Sequence, residues 1–152
     1  DRALHIPVEV LAFGTSYMDN NIGIVKAFSE KIYTDEEIAE RFNYMTTLCS
    51  GNADADALTI ASARLLRRKE KRKILLVLSD GSPSSTYRGN PDDALLYVAN
   101  DIRKQGKVEL YGIGIQDSSV TRYYGSNAKV VQNINELNAV ILETLKLGVK
   151  HE

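Results

Sequence analysis

The chain has one cysteine, no tryptophan, two histidines and three prolines in 152 residues. A lone cysteine, Cys49, excludes an internal disulfide framework and a cysteine-ligated zinc site; it reads as a small core residue rather than a nucleophile. His5 and His151 sit at opposite ends of the sequence. With no serine or cysteine pattern near either, a Ser-His-Asp or Cys-His hydrolase is not indicated. No apolar run approaches the roughly 18 residues needed to cross a bilayer, and no signal peptide opens the chain. The expectation is a cytoplasmic protein away from the membrane. Charge of one sign is also lacking: 19 basic residues face 20 acidic ones. Nothing in that balance points to nucleic acid. The one dense basic run, Arg64 to Lys73, reads as the solvated end of a helix. Walker A is absent, so ATP is not expected to bind through a P-loop.

What is present suits one globular domain, residues 1–152, with a real core. Its most informative stretch is Arg72-Lys73-Ile74-Leu75-Leu76-Val77-Leu78-Ser79-Asp80-Gly81-Ser82-Pro83. Apolar residues bounded by turn residues read as a strand buried on both faces of a parallel sheet. Asp80 would project from its carboxyl end, the edge where open α/β sheets bind ligands. With hydroxyls from Ser79 and Ser82 beside it, that carboxylate suits a hard cation such as Mg²⁺. The plainer alternative is that Asp80 only opens a turn.

Along the chain, Ile6–Phe13 reads as a strand stopped by Gly14-Thr15, Met18–Gly23 as a loop, and Ile24–Ile32 as a weak edge strand or irregular segment. Thr34 with Glu37 forms a capping box for a helix to about Leu48, with Ile38, Phe42 and Met45 inward. A second helix runs from Ala55 to about Arg68 with Leu58, Ala61, Leu65 and Leu66 buried. After the strand Lys73–Leu78, Pro91 suits the first turn of a helix that reaches Lys104 and stops at Gly106. Ala94, Leu95, Val98 and Ile102 face inward there. Val108–Ile115 is another buried strand, Ser119–Tyr124 a helical turn and Lys129–Gln132 a short strand. Asn133 and Glu136 box the start of a last helix to about Leu147. Strands separated by helices predict an α/β, three-layer sandwich with a mainly parallel sheet.

Three segments should share one sheet edge: Gly14-Thr15-Ser16, Gly51 to Asp56, and Asp80-Gly81-Ser82. They offer oxygen donors only, which selects Mg²⁺, Mn²⁺ or Ca²⁺. Asp54 or Asp56 could instead be the N-cap of the helix that begins there. Gly112 and Gly114 lie inside a strand, so close packing explains them better than a nucleotide fingerprint.

Leu75–Gly81 and Val108–Ile115 resemble the fourth and fifth strands of a von Willebrand factor A (VWA) domain. More narrowly, Asn52-Ala-Asp54-Ala-Asp56-Ala-Leu58, Arg64-Leu-Leu-Arg67, Arg72-Lys-Ile-Leu75, Ser79-Asp-Gly-Ser-Pro83, Gly89-Asn90 and Val120-Thr-Arg-Tyr-Tyr124 resemble the C-terminal domain of the CobT-type subunit of aerobic cobaltochelatase. The resemblance implies a non-catalytic binding module with a metal-ion-dependent adhesion site (MIDAS). Asp80 matches its third-motif aspartate, and Asn52 or Asp54 falls at its second motif; Asp80, Asn52 and Asp54 are the implied metal residues. It implies an AAA+ ATPase subunit and a large chelatase subunit as partners, with ATPase motion coupled to cobalt insertion into a corrin ring. The family's first motif, Asp-x-Ser-x-Ser, is not in the sequence, and a first strand and helix are missing with it. The chain is then either a trimmed piece of a longer protein or one that has lost its metal site. An incomplete metal shell, open to being left unoccupied, and an exposed apolar groove between Ile6–Phe13 and Lys73–Leu78 are the expected consequences. Two other readings stay open: a Mg²⁺-dependent hydrolase or phosphotransferase of doubly wound fold using Asp80, and a VWA assembly module of another AAA+ system.

Overall fold

The computed structural model describes residues 6–16, 19–31, 34–48, 50–84 and 89–147. Cys49, His5 and His151 lie outside these residues. Three parallel strands form the main sheet in the order β3 (Ile74–Ser79), β4 (Glu109–Ile115), β5 (Ala128–Val131). Ile74 stands opposite Glu109 and Ser79 opposite Gly114, while Gly112 pairs with Ala128 and Ile115 with Val131. Parallel register sends all three carboxyl ends to one edge. Helices α2 (Asp54–Leu66) and α3 (Pro91–Gln105) pack on this sheet and on each other. The short α4 (Val120–Tyr124) lies on β4 and β5, and α5 (Leu137–Leu147) packs against β5.

One apolar cluster joins these layers: Ala55 and Leu58 of α2, Val77 of β3, Ala94, Leu95, Val98, Ala99 and Ile102 of α3, Leu110 of β4, and Val120, Tyr123 and Tyr124 of α4. The four inward positions expected on α3 are all in it. This helix also has the expected ends. Asn90 caps it by accepting from the Asp93 amide at 3.1 Å, Pro91 opens it, and Gly106 closes it at φ +64°. The Thr34–Glu37 box is formed as read, with Thr34 N donating to Glu37 Oε2 at 2.9 Å and Glu37 N to Thr34 Oγ1 at 3.3 Å.

The amino-terminal third differs from expectation. Strand β1 is Val10–Ser16, not Ile6–Phe13, and it continues through Gly14 and Thr15 instead of stopping there. The segment read as loop and irregular chain is strand β2, Asp19–Lys26, paired antiparallel to β1. Its polar start hides the strand, because β2 is defined by its ladder to β1 and not by an apolar run. Helix α1 (Asp35–Leu48) lies on this hairpin. Having only two strands beneath it, α1 leaves Phe42 43% exposed rather than inward. Met45 does face the sheet, over Gly23, where a Cβ would stand 2.3 Å from its sulfur. Leu66, expected in the core, is 39% exposed at the last turn of α2. The box expected at Asn133 is a different device: Asn133 caps a 3₁₀ turn, Ile134–Glu136, by accepting from the Asn135 amide, and α5 begins after it.

Hairpin and main sheet are separate ladders. Among the described residues no strand pairs with the second edge of β3, and Leu78 on that strand is 39% exposed. What ties the two sheets together is α2, which touches both β1 and β3. Arg64 on α2 donates to both oxygens of Glu9, Nε to Oε2 at 2.8 Å and Nη2 to Oε1 at 2.6 Å. The Glu9 side chain is only 6% exposed. Two more members of the basic run are paired, Arg68 with Glu70 and Arg72 with Glu109, while Arg67, Lys69 and Lys71 are exposed as expected of a solvated run. Removing Arg64, itself partly exposed, strands the enclosed Glu9 charge. Arg64→Ala should therefore destabilise the chain by about 2 kcal/mol in urea denaturation, and Arg64→Lys should restore only part of that. Equal stability of Arg64→Ala and the parent would remove Glu9–Arg64 as the hairpin's anchor.

Candidate cation site at the strand ends

The three segments expected to share an edge do meet, through backbone and hydroxyl bonds. Thr15 and Ser50 exchange amide bonds, Thr15 N to Ser50 O at 3.0 Å and Ser50 N to Thr15 O at 2.6 Å. Their hydroxyls double the link, Thr15 Oγ1 to Ser50 O at 2.7 Å and Ser50 Oγ to Thr15 O at 2.9 Å. Gly14-Thr15-Ser16 is thus a strand end and not a loop. Gly51 follows at φ +65°, and a Cβ there would come within 2.7 Å of Thr15 Oγ1 and 2.9 Å of Ser84 Oγ. Both the backbone conformation and the space call for glycine.

Asn52 and Ser84 then zip the second segment to the loop after β3. Ser84 N donates to Asn52 O at 2.9 Å, and Asn52 N donates to Ser84 Oγ at 2.7 Å. Asn52 Nδ2 reaches Ser82 O at 3.5 Å. With Nδ2 turned to the loop, Oδ1 is the side-chain atom left to offer lone pairs. Ser84 carried no signal of its own in the sequence.

Asp54 is the first residue of α2. Neither it nor Asp56 caps the helix; the cap position is Ala53, which makes no side-chain bond to the first turn. The helix starts one residue earlier than its apolar pattern suggested, and Asp54 is carried inward. It is 3% exposed. Its Oδ2 is buried without a hydrogen-bond partner among the described residues. Burial pushes its carboxyl up from 3.8 to about 6, its own backbone N–H opposes this, and the charge of Asp80 adds to the rise. Asp80, exposed at the end of β3, is thus within electrostatic reach of Asp54. Ser79 does not face outward as a donor: it is buried, and its Oγ donates to Gly81 O at 2.8 Å.

Asp54 and Asp80 thus feel each other's charge, and Asn52 bonds the loop that follows Asp80. All three donors are hard oxygens, the type Mg²⁺ and Ca²⁺ select. A buried carboxylate oxygen without a donor, beside a second carboxylate, is an arrangement that a cation relieves. The donor set fits such an ion, though thinly. Among the described residues no group of three or more His, Cys, Asp or Glu side chains gathers at any point. None of the described helices is long and apolar enough to cross a membrane.

A parallel sheet with helices packed against it, and an Asp-Gly turn at a strand's carboxyl end meeting a second polar loop, defines an α/β domain of the VWA type. Within that class the chain belongs to the family described as the cobalamin biosynthesis protein CobT VWA domain, which matches residues 11–148. No solved structure matches the chain.

Proposed function

We propose that this domain is a non-catalytic, cation-dependent protein-binding module of a cobaltochelatase-like complex in cobalamin biosynthesis. Its partners in this reading are an AAA+ ATPase subunit and the large subunit that inserts metal into the corrin ring, which places the assembly in the cytoplasm. The observation that carries the reading is the buried Oδ2 of Asp54, which has no hydrogen-bond partner among the described residues and feels the charge of Asp80. Asp80, Asp54 and the Asn52 side-chain oxygen would hold Mg²⁺. Bound there, the ion supplies a Lewis-acid contact that an acidic side chain of a partner can complete. The chain's own part is to fix its donors. The Thr15–Ser50 and Asn52–Ser84 bonds hold the three segments together, so a partner meets a rigid edge.

Titration of the chain with Mg²⁺, and of the loaded chain with the purified AAA+ subunit, tests this. Binding of the partner should be lost in Asp80→Ala and on adding a chelator. Undiminished partner binding in both conditions would end the adhesion-site reading. One observation favours the phosphotransferase alternative: Asp54 supplies the second carboxylate near Asp80 that such chemistry needs. A cavity of about 230 Å³ lies away from this edge, between α2 and α3 around Ser62, Leu66, Tyr97 and Lys107. Turnover of a phosphate ester by the isolated chain would decide for the enzyme.

A further inference from the structure

Toward their carboxyl ends α2 and α3 leave a cavity of about 230 Å³ between them. From α2 it is lined by Thr59, Ser62, Ala63 and Leu66, spaced i, i+3, i+4, i+7, a single stripe of the helix. The facing stripe of α3 carries Tyr97, Asp101 and Gln105. Space remains because the first three residues of the α2 stripe are small. Their hydroxyls ask nothing of a ligand, since Thr59 Oγ1 donates to Ala55 O at 2.8 Å and Ser62 Oγ to Thr59 O at 3.0 Å. The floor is Val98, Ile102 and Val108, all buried. Leu66 and Tyr97 form the walls, and Tyr97 is 66% exposed. The rim is basic. Lys107 lines the cavity, Arg67 follows Leu66 at the end of α2, and Lys104 shares the Tyr97 face of α3 at i+7. All three are exposed, and none is in an ion pair among the described residues. One acid, Asp101, stands among them, and its Oδ2 accepts from Gln105 Nε2 at 2.7 Å. Arg67 and Lys104 complement the carboxyl ends of their helices. Lys107 lies beyond Gly106, outside α3, and has no such task.

We propose that this cavity is a docking site for an acidic segment of another protein, which seats one large apolar side chain between Leu66 and Tyr97 and sets carboxylates against Arg67, Lys104 and Lys107. Volume favours a side chain over a free ligand. Small-molecule sites run to about 300–1,000 Å³, and this cavity holds about 230 Å³. An aromatic ring and a leucine flanking an apolar floor are the setting in which one buried anchor carries most of the binding energy. The basic rim sets the sign, because opposite charge steers the encounter and like charge rejects a basic partner. A nucleic acid would engage the cations and the exposed ring but leave the apolar floor empty. Leu66 ends the helix that Asp54 begins, so about 18 Å of helix separates them at ~1.5 Å per residue. The cavity is therefore distinct from the cation edge and stands whether or not that edge binds metal.

Amide NMR of the whole chain, titrated with a short synthetic peptide of glutamates around one central phenylalanine, tests this. The peptide should shift the amides of Ala63, Tyr97 and Lys107, equally with Mg²⁺ and with a chelator. Replacing its phenylalanine by alanine should weaken binding by about tenfold, and replacing its glutamates by lysines should abolish it. On the chain, Tyr97→Ala and Lys107→Glu should each weaken binding by about tenfold. Neither should lower the melting temperature, since both side chains are exposed. No shift at the three amides, equal binding by the alanine peptide, or parental affinity in both variants would overturn the proposal. Binding of single-stranded oligothymidylate at the same residues, as tight as that of the peptide, would also overturn it and mark a nucleic-acid surface. Shifts confined to Asn52 and Ser84, and lost with the chelator, would put the peptide on the cation edge, sinking this site and supporting the cation reading instead.

Discussion

Replacing Asp54 with Asn should stabilise the metal-free chain at neutral pH and, on the proposed cation reading, at the same time abolish Mg²⁺ binding. The first effect follows from the raised carboxyl, 3.8 in an ordinary setting and about 6 here. A folded state that holds a proton more tightly than the unfolded chain is stabilised at low pH. The stability this group contributes is fully present below 3.8 and is lost as pH rises through about 6. At roughly 1.4 kcal/mol for each pKa unit, the loss is about 3 kcal/mol across that window. An amide at position 54 has nothing to ionise, so Asp54→Asn should keep that stability at pH 7 and flatten the stability profile between about pH 4 and pH 7. Mg²⁺ reverses the comparison. A cation bound to the folded chain alone should raise the stability of the parent, by mass action, and leave the variant unchanged. Urea denaturation at several pH values, with and without Mg²⁺, measures both halves. Parallel pH profiles for parent and variant would show that Asp54 ionises freely, and the case for a strained carboxylate at the edge would fall.

How far the sequence reached depends on what each signal encodes. Strand β3 was legible as an unbroken apolar run bounded by turn residues. The burial on both faces expected of it is not seen: only Val77 of Ile74–Leu78 is buried and Leu78 is 39% exposed, because β3 is an edge strand among the described residues. Helix α3 was legible at both ends, since Pro91 and Gly106 each do a local job that the residue type alone can do; the cap that Asn90 supplies was not read. The hairpin was not. Whether Gly14 and Thr15 continue a strand is settled by Asn21 and Asn20 opposite them, a pairing that no local pattern reports. The site divides in the same way. Asp80 was marked by its place after an apolar strand, and Asn52 and Asp54 by the family resemblance. Asp54 was also open to a second reading as a helix cap, which a one-residue shift in the start of α2 removed. Ser84 and Asp92 gave no signal, because serine and aspartate are ordinary in a loop and in a first helical turn. Their importance lies in partners 32 residues and 31 residues away, Asn52 and Tyr123. The Val120–Tyr124 stretch stood out only as a family mark; its role needed the coordinates.

Gly114→Ala should cost more than any other glycine replacement in the main sheet. A Cβ at Gly114 would stand 2.0 Å from the Asp117 carbonyl oxygen and 2.7 Å from Val120 Cγ2. The first of these is backbone, which cannot swing aside as a side-chain end can. That carbonyl belongs to a turn already under constraint: Gln116 has φ +57°, and Asp117 accepts from Ser119 N and Ser119 Oγ, both at 2.8 Å. The turn folds the chain back over β4 and starts α4, so its close approach to Gly114 is what seats Tyr123 and Tyr124. Overpacking against backbone at such a point should cost about 3 kcal/mol, or about 10 °C in melting temperature for a chain of this size. Gly106→Ala is the control. A Cβ there meets nothing within 4 Å, so only its φ of +64° opposes the change, and the cost should be about 1 kcal/mol. If Gly114→Ala melted no lower than Gly106→Ala, the turn would be free to lift off the sheet. In that case α4 and its buried tyrosines would not be held in place by this turn.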